Sequence, residues 1–454
     1  MTLPAVLLAT IFCLGLAAPA TAADQPLTLG EAMLLALKHN PGLKAAGMTL
    51  ETAEAEMAKA RARFLPTLDF GETYNYSDSA TQVFMNKLNQ RVFTQQDFLL
   101  NNLNFPNPLG NFRTGLTMSQ PIFQAGQAYL GYRQAQLGRE EAGALVLSSR
   151  QQLLFRVTQA YFGLHLARET LGIVKKAVET ARQHLNIAEE RYRSGAVIQA
   201  DVLSAQVHLA KITQEEITAE GQVQVAQSSL ATLVGLPEIG SRALAPPPRE
   251  PAPLPENLTD LQTIAQEKRP DLKRLALAAR VAQQEYTKAR LNYLPRVRLV
   301  AEYDVDQRRL FGASPDSYTI MALMNFNLFN GLADLARVRE SRAQEAQAQD
   351  LKQELEDRIR QQVTEAIISV KTAQARLKVA RTAVAQARES LRLVRLRYQT
   401  GLTILVDLLT TEDAAKNAEL DQAAALFDTY LSQAGLELAL GTISGPAEAV
   451  GAGP

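Results

Sequence analysis

Residues 396–416, LRYQTGLTILVDLLTTEDAAK, have an echo at 190–210, ERYRSGAVIQADVLSAQVHLA. A shift of 206 residues lays Arg191 on Arg397, Tyr192 on Tyr398, Gly195 on Gly401, Ile198 on Ile404 and Asp201 on Asp407. In each copy an apolar-periodic segment runs into Arg-Tyr, meets a small polar residue and a Gly, and restarts. Glycine permits the left-handed conformation that ends a helix, so each copy reads as the turn of an αα-hairpin. Two such turns imply an internal duplication.

Upstream of each turn lies a long seam. Val157, Ala160, Leu164, Ala167, Leu171, Val174, Val178, Ala181, Leu185, Ala188 and Tyr192 alternate steps of three and four. The second copy runs Val363, Ala366, Val370, Ala373, Leu377, Ala380, Val384, Ala387, Leu391, Val394 and Tyr398. This is coiled-coil packing, with large residues alternating with Ala for close interdigitation. No Pro interrupts 127–193, so the first helix is about 100 Å long. The spacing predicts hairpins over 127–235 and 332–440.

A second duplication precedes each hairpin. A shift of 229 lays Leu29 on Leu258, Ala36 on Ala265, Pro41 on Pro270, Leu43 on Leu272, Lys59 on Lys288 and Leu65-Pro66 on Leu294-Pro295. A short helix breaks before the Pro, because the residue preceding it avoids the α region. A second helix follows and stops at Leu-Pro. There the period changes to two, giving strands at about 67–76, 112–121, 297–305 and 318–328. Amphipathic strands of about ten residues cross an outer membrane when tilted. The first pair is bridged by a long Asn-, Gln- and Phe-rich loop, 77–111, and the second by 306–317.

Residues 1–23 read as a secretory signal, an apolar core followed by Ala20-Thr21-Ala22. Cys13 is the chain's one cysteine, and Phe12 before it is too bulky for a lipoprotein cleavage site. The mature chain then has neither disulfide nor thiolate chemistry. Residues 236–257 hold seven prolines and read as an extended linker, and 442–454 as a flexible tail. Lys+Arg equals Asp+Glu at 47 each, which advertises no nucleic-acid face. His39, His165, His184 and His208 are scattered, and no Walker, GxSxG, GxGxxG or HExxH motif occurs. The reading is therefore no enzyme, no cofactor and no metal.

The paired LTLxEA–NP–LP segments, the P-I/L-F-x-x-G turn and the R-Y-x-x-G…D-V/L-L tips resemble the outer-membrane efflux protein family typified by TolC. The resemblance covers about 27–441. It implies a mainly α fold with β: a homotrimer whose four strands per chain close a 12-stranded β-barrel continuous with a 12-helix α-barrel. It implies an exit duct for tripartite efflux or type I secretion, embedded in outer-membrane lipid and joined to a periplasmic adaptor and an inner-membrane transporter. By position, Asp201 and Tyr398 match a hydrogen-bonding pair between hairpins, and Asp407 a constriction aspartate whose ring would favour cations. Thr403 stands where the family has an Arg lock, and Thr410 where it has a second pore aspartate. Ser194, Gly195, Thr400 and Gly401 are expected to turn the tips and meet the adaptor. Independently of the resemblance, the macrodipole alone would favour Asp201 and Asp407 in the first turns of the returning helices. The competing reading is a periplasmic adaptor, also built on a long helical hairpin.

Overall fold

A computed structural model describes residues 26–247, 257–310 and 316–445. The signal segment and Cys13 lie outside the described residues, as do 248–256 of the Pro-rich linker and the end of the tail. Each half begins with a capped pair of helices. Thr28 and Asn40 cap α1 (Leu29–His39) and α2 (Pro41–Ala62), their side chains accepting from Glu31 N and Leu43 N. Asn257 caps α7 (Leu258–Lys268), and Pro270 opens α8 (Pro270–Leu291). Proline suits a first helical position, where the missing N–H would have no partner anyway.

The strands β1 (Thr67–Ser77), β2 (Leu109–Phe123), β3 (Arg296–Gln307) and β4 (Asp316–Asn325) form one antiparallel sheet in the order β1-β2-β3-β4. The register places Leu68, Met118, Ala301 and Ile320 in one row and Phe70, Leu116, Tyr303 and Tyr318 in another. That face is apolar and largely exposed, and the opposite face carries Asn75, Asn111, Arg113, Asp304 and Asp306. Two strands differ most from the sequence pattern. β2 is longer because, as an inner strand, it pairs from Leu109↔Ser77 to Phe123↔Val297, with an irregularity at Pro121, which has no N–H to give. β4 stops at Asn325 rather than 328 because its partner β3 begins at Arg296, directly opposite. The apolar alternation runs on through Phe326 and Leu328 with no partner strand among the described residues.

The long connection between β1 and β2 is not a bare loop. It contains α3 (Ala80–Asn89), a 3-10 turn (Gln95–Phe98) and α4 (Leu100–Asn104). Val83 is fully buried there, and Phe84, Phe93 and Phe98 meet edge to face at 5.0 Å.

From the sheet the chain enters α5 (Gln127–Arg193) and returns in α6 (Gln199–Val234); the second half repeats this as α9 (Ala333–Gln399) and α10 (Leu405–Leu440). Both long helices have 67 residues and both returning helices 36, so the shift of 206 holds throughout. Two left-handed residues precede each long helix, Ala125-Gly126 and Gly331-Leu332. The glycine has changed places between the copies, so each turn forces one non-glycine residue to positive φ.

Halfway down, neighbours change. α5 packs on α2 in its upper half and on α6 in its lower half, and α8 gives way to α10 between α5 and α9. Gly235 ends α6 against His39, where a Cβ would sit 3.0 Å from a backbone oxygen, and Gly441 ends α10 against Arg269. Asn40 Nδ2 donates to Leu233 O at 2.8 Å. In the second half Arg269 pairs with Asp271 at 2.6 Å and donates to Gln362 Oε1. The main core lies at this level, built from Leu27, Leu154, Val157, Leu164, Leu230 and Tyr430 among others. The linker and tail start inside it. Residues 237–241 form a 3-10 turn with Ile239 buried, Leu244 bridges Leu27, and Ile443 is buried. Their apolar side chains dock what the prolines and glycines suggested was free.

Candidate functional site at the hairpin tips

Each tip is a Schellman turn. Ala196 N donates to Arg191 O at 2.8 Å and Gly195 N to Tyr192 O at 3.0 Å; Leu402 N donates to Arg397 O at 2.8 Å and Gly401 N to Tyr398 O at 3.2 Å. Gly195 and Gly401 take φ of 72° and 77°, a region costly to residues with a Cβ. Ser194 Oγ and Thr400 Oγ1 donate to the carbonyls of Arg191 and Arg397, consuming helix-end acceptors. Past each turn Ile198 and Ile404 stand exposed in extended conformation and lead into the returning helices.

The two tips of one chain share a small core of Ala188, Ala205, Tyr398, Leu405, Leu408 and Leu409. Here the repeats diverge. Tyr398 is buried, whereas its counterpart Tyr192 is 46% exposed. The Arg191 guanidinium lies 5.0 Å from the centre of the Tyr398 ring, a cation–π contact from one hairpin to the other. Within the described chain no hydrogen bond joins Asp201 to Tyr398; Arg191 is what reaches this tyrosine. Asp201 and Asp407 each occupy the first turn of a returning helix, where the macrodipole stabilises anions. Thr403 donates to Asp407 Oδ2 at 2.6 Å, and Thr410 donates backward to Val406 O.

Three turns above the tip, charges cross the seam. His184 Nε2 on α5 meets Glu412 Oε1 on α10 at 2.8 Å, and Arg395 on α9 reaches the same oxygen at 3.1 Å. Lys416, almost wholly buried, pairs with Glu215 at 2.6 Å and Asp413 at 3.3 Å, and Lys211 meets Asp413 at 3.0 Å. Burial works to raise the Asp413 carboxyl, but the Lys211 hydrogen bond and the Lys416 charge outweigh it and hold it below the usual range. Burial pushes His208 down, against the pull of Asp413 and Glu412. A groove of about 460 Å³ opens between α6 and α10, lined by Leu203, Val207, His208, Val406, Thr410 and Asp413.

Sequence reasoning on the tips missed these charges. The signal was present: Glu412 follows Leu405 by seven residues and Lys416 follows Leu409 by seven, so both interrupt an apolar stripe. His165 is elsewhere, stacked on Phe427 in the main core. His39 ends α1.

The family model for outer membrane efflux proteins matches residues 33–236 and 261–442. The alkaline protease secretion protein AprF of Pseudomonas aeruginosa is 24% identical over 90% of this chain and 83% of its own. The proteases secretion protein PrtF of Dickeya chrysanthemi is 24% identical over 92% and 89%. Among solved structures, the CmeC outer membrane channel of Campylobacter jejuni superposes with a TM-score of 0.80 at 17% identity, covering 99% of this chain and 96% of that one.

Proposed function

We infer this chain's role from one premise: it belongs to the outer membrane efflux protein family. It is an outer-membrane exit duct with a long periplasmic helical part. The observation that carries the reading is the sheet, whose β1 and β4 edges have no partner strand among the described residues. Open edges are not tolerated in lipid, and four strands cannot close a barrel. Three copies supply twelve strands, with the apolar face toward lipid and the polar face toward the lumen.

The relatives named for protease secretion favour an exported protein as cargo over a small drug. The tips then form the periplasmic entrance. Asp407 narrows it and selects cations, Tyr398 with Arg191 helps hold the two hairpins together, and the turns at Ser194, Gly195, Thr400 and Gly401 meet an adaptor. The groove beside Val207 and Val406 supports such docking. An inner-membrane transporter supplies the energy. Cell fractionation with unheated gel electrophoresis tests the reading: an outer-membrane trimer supports the duct, and a soluble monomer overturns it.

A further inference from the structure

The connection between β1 and β2 is folded against the sheet. Helix α3 turns the stripe Val83, Asn86, Gln90 toward the sheet, and all three are nearly inaccessible. Asn86 Nδ2 donates to Asn75 Oδ1 on β1 at 3.1 Å, and Gln90 Nε2 donates to Asn111 Oδ1 on β2 at 2.7 Å. Asn111 in turn donates to Asp306 on β3 at 2.5 Å. Arg308, just past β3, donates to Gln90 Oε1, and Arg91 donates to the carbonyl of Asp316 at the start of β4. Asn75, Asn111 and Asp306 all belong to the polar face of the sheet. The helix is therefore pinned across the upper ends of all four strands, on the lumen side.

The connection is also built to stay folded. Lys87 pairs with Asp97 at 2.7 Å, and Thr94 and Asp97 close a capping box. The Lys87 and Thr94 hydrogen bonds hold the Asp97 carboxyl at about 2.

Magnitudes decide what this does to the opening. Twelve strands spaced ~4.8 Å apart and tilted ~40° enclose about 24 Å between backbones. A helix with its side chains is about 10 Å thick, so three against the wall leave a gap of only a few ångströms. We propose that α3, pinned through Asn86 and Gln90, is an exit-side constriction that limits the size of what passes the extracellular end of the duct. This rests on the duct reading above. A gap of that width excludes a folded domain while α3 is pinned.

Thr117 lies on the polar face of β2, below α3. The full chain carrying Thr117→Cys, expressed in an outer membrane, is treated from outside with a small maleimide and with a bulky polyethylene-glycol maleimide. That route bypasses the periplasmic tips. The small reagent is expected to label and the bulky one to be excluded. Adding Asn86→Ala and Gln90→Ala should raise bulky labelling about tenfold, the shift expected from losing two hydrogen-bonding side chains. Unheated gels report the trimer in parallel, and a chain that forms none fails the duct reading itself. With the trimer intact, bulky labelling at the small-reagent rate before α3 is altered overturns the inference. So does continued exclusion after both pins are removed.

Discussion

Thr403 and Asp407 are joined by a 2.6 Å hydrogen bond across the first turn of α10, and the first half cannot repeat it because Val197 stands at the equivalent position. The hydroxyl fixes the orientation of one carboxylate per chain, at the point where a duct would be narrowest. Asp407→Asn should lower cation over anion selectivity, read as reversal potential in a planar bilayer, with the trimer intact. Thr403→Val should produce a smaller change in the same direction. Selectivity untouched by Asp407→Asn would remove this residue from the constriction.

The helix-ending glycines are not equivalent. At Gly401 an added Cβ would meet nothing, whereas at Gly441 it would lie 3.0 Å from Arg269 Cα. Gly401→Ala should cost about 1–2 kcal/mol for the left-handed conformation alone. Gly441→Ala should cost a further ~1–3 kcal/mol of overpacking. Thermal dissociation of the detergent-solubilised trimer should therefore fall further for Gly441→Ala. Equal shifts would contradict the tight splice between α10 and Arg269.

Lys416 ties α10 to α6 through Glu215. Removing it leaves Glu215 and Asp413 facing each other across the seam. Lys416→Ala should weaken the seam by about 1–3 kcal/mol, the lower end reflecting the partial exposure of Glu215, and should raise single-channel conductance. The exposed Lys59–Glu56 pair provides the contrast: Lys59→Ala should change nothing measurable.

The seam should loosen in acid. His208 faces Asp413 and Glu412 from α10, with Lys211 from its own helix and Lys416 from α10, and burial lowers its pKa from 6.5. A base with a depressed folded pKa contributes stability that is full above pH 6.5 and is lost as pH falls through the lower value. Asp413 acts in the same direction at lower pH, because its depressed carboxyl must be protonated against Lys211 and Lys416. Conductance should rise as pH drops below 6.5, and His208→Gln should flatten that rise. An identical pH response in the variant would exclude His208.

The legible part of this molecule was whatever repeats. The glycines at 195 and 401 mark helix ends because a residue without a Cβ readily takes the left-handed turn that returns backbone N–H groups to the last carbonyls. The seam residues announced themselves by period. The segment 77–111 was illegible because its fold depends on Asn and Gln side chains reaching other strands, and polar residues carry no period. The linker misled for a related reason: seven prolines outweighed Leu236, Ile239 and Leu244, whose docking partners lie far away in sequence. At the tips, local spacing found both turns but not the Arg191–Tyr398 contact, since pairing between hairpins is a tertiary fact. Lys416 could have been found as a cation standing on an apolar stripe.

The change of neighbours halfway along α5 and α9 has a mechanical consequence. Each chain contributes four staves to the wall, and only two of them, α5 and α9, run unbroken. The other two are spliced, α2 onto α6 at Gly235 and α8 onto α10 at Gly441, at one common height. Where the splices line up, load passes from α6 to α2 and from α10 to α8 through packed caps and side chains and not through a continuous backbone. The duct has a waist joint, and glycine is its bearing surface.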